Sequence, residues 1–303
     1  MYTEKIEMLI NGRWCAGSAG TSQPLINPAT EEELTRVPHA SEADLDEALF
    51  SSSQGFKVWS NYTPLARQVI MEKAARLLEE RITNISKTLT LEMGKPFAEA
   101  KIEMGFVIDV TRWYGEEGKR IYGRLVPPRA PNLRQMVLKE PVGPSCAFVA
   151  WNFPGTNVIR KVAGALAAGC SILIKPSEET PGTAVAIARC FQDAGLPNGV
   201  LNLVFGLPDE VSRKVLGSRI PKKMSFTGSI PVGKHLQKLA AETMKRCTME
   251  LGGHAPVLIF EDADLQNAIK ATAGFKFRNA GQVCISPTRF YIQEKVYKSF
   301  VEG

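Results

Sequence analysis

Cys146-Ala147-Phe148-Val149-Ala150, an Ala- and Gly-rich stretch over 157–168, then Ser171-Ile172-Leu173-Ile174-Lys175: this succession decides the fold of the 303-residue chain. Two short, largely apolar runs bracket a helix-length segment, the pattern of buried parallel strands joined by a crossover helix. The alternation continues downstream. Residues 182–194 read as helix, 200–204 as strand, 208–216 as helix, 222–226 as strand and 230–245 as helix. Strands separated by helices of this length predict an α/β fold with a doubly wound parallel sheet. Such a sheet offers ligands the carboxyl ends of its strands.

Upstream, Ile6 to Trp14 reads as a hairpin turning at Asn11-Gly12, a dipeptide that suits a two-residue turn. Asn27-Pro28-Ala29-Thr30 is a second turn. Ser41 with Asp44 three positions on predicts an N-cap and a helix to about Trp59. Thr63-Pro64 opens the next helix, to about Glu80. A third covers 82–93 and stops at Gly94. A fourth runs from about Pro96 to Gly118, with apolar residues at Ile102, Phe106 and Val110. Over 121–140 three prolines separate two strand-like runs, read as a long hairpin leaving the body and a candidate contact with another copy. After 256 a new unit begins: a strand at 256–260, a helix from near Ala263, a polar loop, and a strand at 289–293.

Composition excludes several classes. Hydrophobic residues make 44% and charged ones 22% of the chain, the balance of a globular protein. No apolar run approaches the roughly 20 residues of a membrane span, and no apolar segment follows the N-terminus, so a cytoplasmic location without membrane contact is expected. The net charge of +6 comes from Lys and Arg interleaved with Glu and Asp, a solvated mixed face that argues against a nucleic-acid partner. The six cysteines lack paired or CxxC spacing and the three histidines are scattered, so neither disulfides nor a metal site is expected.

Several stretches carry candidate chemistry, each with a bland alternative. Asn152, just beyond the first strand, can donate to a developing oxyanion or be a plain turn residue. Lys175 and Glu178 can hold ribose hydroxyls, the carboxylate repelling a 2′-phosphate, or be surface charge. Phe226-Thr227-Gly228-Ser229-Ile230-Pro231-Val232-Gly233 can turn backbone N–H groups toward a pyrophosphate, although glycine is common in such turns. Glu250, before Gly252-Gly253, can act as a general base or be a structural carboxylate. Cys284, within Gly281-Gln282-Val283-Cys284, can be a nucleophile or an inert thiol.

The order and approximate spacing of these motifs (WNFP at 151–154, KPSE at 175–178, FTGS at 226–229, ELGG at 250–253 and GQVC at 281–284) resemble the NAD(P)-dependent aldehyde dehydrogenase superfamily. The resemblance implies that Cys284 attacks the aldehyde as a thiolate. Asn152 and the Cys284 N–H would hold the oxyanion, and Glu250 would activate the water that hydrolyses the thioester. It implies an NAD-binding domain over 1–251, with 121–140 as an oligomerisation hairpin of a homodimer or homotetramer. Residues 252–303 would begin a second α/β domain, the catalytic one. Cofactor contacts would come from Trp151, Lys175, Ser177, Glu178, Gly206, Phe226, Gly228, Ser229, Val232 and Leu251, with Phe226 and Val232 flanking the adenine.

Glu116 to Gly123 and Lys276 to Gln282 resemble the succinate-semialdehyde dehydrogenase branch more closely. There, two arginines matching Arg160 and Arg278 clamp a distal carboxylate. Glutarate and 2-oxoglutarate semialdehydes would fit the same clamp. Two departures carry expectations. Ser286 stands where that branch often has a second cysteine, so no local disulfide switch is expected. Glu178 stands where NADP-preferring members tend to have a small residue, so NAD is expected, with NADP the alternative. Members of the superfamily run well beyond 303 residues. The resemblance therefore implies weak or absent turnover for these residues alone, with a non-catalytic dinucleotide-binding unit as the rival reading.

Overall fold

The N-terminal hairpin already belongs to the main sheet. In the computed structural model, which describes residues 2–303, β1 (Met8–Ile10) and β2 (Arg13–Cys15) pair antiparallel. Both turn residues have positive φ, 52° at Asn11 and 74° at Gly12, as a two-residue turn matching strand twist requires. Strands β3 (Ser22–Ile26) and β4 (Glu33–Pro38) form a separate antiparallel pair around the 27–30 turn; the sequence reading identified that turn but not its flanking strands.

Four helices follow. For α1 (Glu42–Trp59), the Ser41 hydroxyl accepts from the Asp44 N–H while the Asp44 carboxylate accepts from the Ser41 N–H, the expected capping box. Thr63 caps α2 (Pro64–Glu80). Helix α3 (Ile82–Met93) stops at Gly94, whose φ of 84° suits a residue without Cβ. Helix α4 (Phe97–Glu117) buries Ala100, Met104, Val107 and Ile108 and leaves Ile102, Phe106 and Trp113 exposed. The apolar residues picked out in the sequence therefore lie largely away from its core face. Strands β5 (Arg124–Val126) and β6 (Gln135–Val137) make the 121–140 hairpin, exposed along both strands.

The alternating region then runs β7 (Ser145–Phe148), α5 (Pro154–Ala167), β8 (Ile172–Lys175), α6 (Pro181–Asp193), β9 (Leu201–Leu203), α7 (Pro208–Gly217), β10 (Lys223–Gly228), α8 (Ile230–Ala241) and β11 (Arg246–Leu251). The seven-stranded sheet has the order β11-β10-β7-β8-β9-β1-β2, parallel from β11 to β9, with the hairpin antiparallel at one edge. Helices α5 and α6 pack with α2, α3 and α4, whereas α7 and α8 pack with each other and with α1 and the strands, which gives the sheet its two helical layers. Strand β11 is a correction. The sequence reading carried α8 to 245, yet the helix ends at Ala241, Met244 turns with φ 54°, and Arg246–Leu251 alternates exposed with half-buried residues. That period of two was legible in Arg-Cys-Thr-Met-Glu-Leu.

From β7 the chain winds outward to β8 and β9, then returns to lay β10 on the other side of β7. The strand order therefore reverses between β7 and β10, and the crevice beyond their carboxyl ends is the switch point where such sheets receive ligands. The remaining elements are β12 (Val257–Ile259), α9 (Leu265–Phe277), β13 (Phe290–Ile292) and α10 (Glu294–Glu302). Strands β12 and β13 pair parallel in a two-stranded sheet outside the main one.

Candidate active site

An open cleft of about 390 Å³ sits at the switch point. Trp151 and Asn152 from the end of β7, Gly228 and Ser229 from the end of β10, Glu250 and Leu251 from β11, and Cys284 line it. The three residues read as catalytic thus meet in one place, although 132 residues separate the first from the last (284 − 152). Cys284 is the one exposed cysteine among the described residues.

The loop before Cys284 carries an unusual backbone. Asn279 and Ala280 have φ of 55° and 54°, followed by Gly281 at 77°. Left-handed conformations in residues with a Cβ cost of order 1–3 kcal/mol each and persist where surroundings over-determine them. Asn279 supplies that constraint. It is wholly buried, its N–H donates to Glu99 Oε2 at 2.8 Å, and its side-chain amide donates to the carbonyls of Asn152 (3.0 Å) and Gln282 (3.1 Å). The Asn152 amide also donates to the Gln282 carbonyl at 2.9 Å. A further tie runs from the Gly253 N–H to the Cys284 carbonyl, 3.3 Å.

Beneath this joint lies a buried ion pair. Lys95 Nζ donates to Glu103 and, at 3.2 Å, to the Asn152 carbonyl, and it stands 4.1 Å from the centre of the Phe153 ring. Glu103 accepts the Thr156 N–H in the first turn of α5 at 3.0 Å, where a carboxylate is favoured by the free N–H groups. Burial pushes the Lys95 ammonium below the ordinary lysine range, opposed by the Glu103 carboxylate. None of Lys95, Glu99, Glu103 or Asn279 emerged as a site residue from the sequence. Met93-Gly94-Lys95-Pro96 reads only as a helix boundary, and long-range pairing leaves no local signature.

A larger cleft of about 580 Å³ opens on the other side of Glu250, lined by Phe106, Trp113, Arg160, Lys161, Lys223 and Glu250 among others. Burial lowers the Lys161 ammonium, with the Glu250 carboxylate acting against the shift. Arg160 lines this cleft, its guanidinium 5.3 Å from the Phe106 ring centre. Arg278 lies instead over Phe153, 5.5 Å from that ring's centre. Phe153 and Arg160 are two turns apart, roughly 10 Å at 1.5 Å per residue. Arg278 lines neither cleft.

The remaining cofactor candidates lie at strand ends, with different exposures. Lys175 Nζ donates to Glu178 Oε2 at 2.6 Å just past β8, both side chains nearly buried. The Ser177 hydroxyl donates to Glu179. Gly206, with φ 150°, follows β9, and Val232 is exposed on α8. Phe226 departs from expectation: only 5% exposed, its ring packs behind the turn, where a Cβ on Gly228 would overlap it. The residues fit a dinucleotide. Ser229, which lines the cleft, precedes α8 without capping it, so the helix start beside it has no side-chain cap, a place where a pyrophosphate is favoured, and Lys175 with Glu178 can meet ribose hydroxyls. Among the described residues no cluster of His, Cys, Asp and Glu could hold a metal, and no helix is long and apolar enough to cross a membrane.

A doubly wound sheet with a cysteine, an asparagine and a glutamate at its switch point defines a class of nucleotide-dependent enzyme scaffolds. The chain belongs to the aldehyde dehydrogenase family, whose profile matches residues 14–303. Among curated relatives, 4-(hydroxymethyl)benzenesulfonate dehydrogenase of Comamonas testosteroni is 44% identical over 98% of this chain and 62% of its own length. The 3-sulfolactaldehyde dehydrogenase of Pseudomonas putida is 40% identical over 98% and 61%. The crystal structure of succinate-semialdehyde dehydrogenase from Burkholderia pseudomallei superposes with a TM-score of 0.97 at 38% identity, covering 99% of this chain and 62% of that one. The chain thus spans about three-fifths of the length of these relatives.

Proposed function

We propose that the protein oxidises an aldehyde bearing a distal anionic group, succinate semialdehyde to succinate, with NAD through a thioester on Cys284. The observation that carries this reading is the convergence of Asn152, Glu250 and Cys284 on one cleft at the switch point. The Cys284 thiolate adds to the carbonyl carbon, forming a C–S bond and placing charge on oxygen. The Asn152 amide and the Cys284 N–H stabilise that oxyanion, an effect worth a few kcal/mol per donor in comparable sites. Bound NAD supplies the hydride acceptor, held by Trp151, Lys175, Ser177, Glu178, Gly206, Gly228, Ser229, Val232 and Leu251. Glu250 then takes a proton from water as its oxygen attacks the thioester, and the thiolate leaves with the C–S electron pair. Glu178 directs the preference to NAD over NADP by repelling a 2′-phosphate.

Arg160 and Arg278 select the substrate by charge-assisted hydrogen bonds to its anionic end. A second reading replaces carboxylate by sulfonate. It is favoured because the relative named for a benzenesulfonate is 44% identical, against 40% or less for the matched semialdehyde dehydrogenases. A panel of succinate semialdehyde, glutarate semialdehyde, 4-formylbenzenesulfonate and propanal, followed as NADH absorbance, separates the two. Arg160→Ala and Arg278→Ala should raise KM for the anionic aldehydes about tenfold and leave propanal alone. Equal losses on propanal would remove the clamp. Residues 1–251 form the cofactor-binding domain and 252–303 belong to the catalytic one, with the exposed β5–β6 hairpin meeting a second copy.

A further inference from the structure

We propose that Asn157 is a positioning residue that sets which way the Asn152 amide faces, and with it the direction of the N–H offered to the oxyanion at Cys284. The inference rests on the reading of Asn152 as an oxyanion donor.

A side-chain amide is nearly symmetric in shape and opposite in chemistry at its two ends, so an oxyanion donor must be told which end to present. The backbone of Asn152 is already pinned, because its carbonyl accepts from Asn279 at 3.0 Å and from Lys95 at 3.2 Å. What remains free is the side chain. Asn157 sits in the first turn of α5, and side chains there lean toward the helix N-terminus. Its Nδ2 donates to the Ala150 carbonyl at 3.2 Å and to Asn152 Oδ1 at 3.3 Å. Asn152 Nδ2 in turn donates to the Gln282 carbonyl at 2.9 Å.

A backbone carbonyl can only accept, and that removes the ambiguity of both amides. Reversing Asn157 would set its oxygen against Ala150 O. Reversing Asn152 would set its oxygen against Gln282 O and its NH2 against the Asn157 NH2. The relay therefore has one consistent polarity, running from Ala150 through Asn157 and Asn152 to the Cys284 loop. One N–H of Asn152 is used on Gln282, and the second stays available in the cleft. Gln282 O, which also accepts from Asn279 at 3.1 Å, holds only the Nδ2 end of the Asn152 amide. Asn157 supplies the restraint at the other end.

The test compares two reactions of the same thiol. In acylation by p-nitrophenyl acetate, the Cys284 sulfur bonds the acetyl carbon through a tetrahedral oxyanion, and p-nitrophenolate leaves with the C–O electron pair. Carbamidomethylation by iodoacetamide displaces iodide at a saturated carbon and forms no oxyanion. Cys284→Ser supplies the background from the other thiols. Asn152→Ala should lower the acylation rate about a hundredfold, the scale of losing one oxyanion donor. Asn157→Leu should lower it about tenfold and leave carbamidomethylation unmoved, and the double variant should match Asn152→Ala alone. Should Asn157→Leu fold poorly, Asn157→Ser, whose hydroxyl is too short to span the gap, reads the same ratio. An Asn157 effect equal on both reactions, or one that multiplies that of Asn152→Ala, overturns the inference. So does a normal acylation rate in both Asn157 variants beside a deficient Asn152→Ala, and that outcome leaves the oxyanion reading standing. If Asn152→Ala acylates normally, that reading fails and the inference with it.

Discussion

Residues 2–251 and 252–303 are held in different ways. In the first, the strands β7, β8 and β9 are buried along their whole length, and Leu203, Ile174 and Phe205 are fully enclosed in one continuous apolar core. In the second, α9 and α10 bury no residue, and Leu258, Phe260 and Tyr291 are exposed. Asn279, wholly buried, joins the second region to the first by hydrogen bonds. Apolar burial is non-directional and tolerates small shifts, whereas hydrogen bonds fix direction and register. The cleft lies on the seam between the two regions, where Asn152 and Cys284 come from opposite sides.

The contrast can be broken most sharply at Lys95. Lys95→Met leaves Glu103 buried and unpaired, and removing one partner of such a pair destabilises by about 3–5 kcal/mol. Urea unfolding measures it, and a loss below about 1 kcal/mol would show that the polar layer under the seam contributes little.

Glu92 tests a second polar joint, within the first region. It is buried and accepts from Tyr2 Oη, from the Gly182 and Thr183 N–H groups and from the Thr183 hydroxyl. Burial pushes its carboxyl up to about 7, those hydrogen bonds acting against the shift. The native state therefore binds the proton more tightly than the unfolded chain, whose glutamates titrate near 4.5. The stability conferred by protonated Glu92 is complete below pH 4.5 and is lost as pH rises to about 7, by roughly 3 kcal/mol from linkage. Glu92→Gln should flatten that part of the profile in unfolding measured at pH 5 and 7.5, and an unchanged slope would assign it to other groups.

Asn279→Ala should cost about 1–3 kcal/mol, the scale of buried groups losing their partners, and should speed proteolysis around 278–286 more than elsewhere. Uniform protection would mean the loop is held by something other than Asn279. The smallest effect is expected at Leu258→Ser, within about 0.5 kcal/mol because the side chain is exposed. A larger loss would show that this face is covered in the protein as isolated.

Much of the first region was legible because its signals are local. Ser41 with Asp44, Thr63-Pro64, Gly94 and Asn11-Gly12 each announce a boundary through the backbone chemistry of a few neighbours. The apolar runs at 146–150 and 171–175 could be nothing but buried. Strand β11 was missed although Arg246–Leu251 alternates, because the preceding helical pattern was read through the turn at Met244. Strands β3 and β4 were missed since Pro24 and the charged run Glu31-Glu32-Glu33 mask their alternation. Of the site, Asn152, Glu250 and Cys284 were named from motif order. Lys95, Glu103, Asn157 and Asn279 were not, and the near-complete burial of the Phe226 ring was not legible either.

The alternation of strands and helices, the caps, and the residue types able to do acyl chemistry are all written in the amino-acid order. Those depend on interactions within a few positions and on the chemistry of single side chains. Tertiary contacts placed β10 beside β7, which creates the switch point, and put Arg160 in the larger cleft. They alone set the direction of the Asn152 amide. Strand order, spacing between distant side chains and the sense of a hydrogen-bond relay depend on contacts across more than a hundred residues, and the chemistry of near neighbours does not encode them.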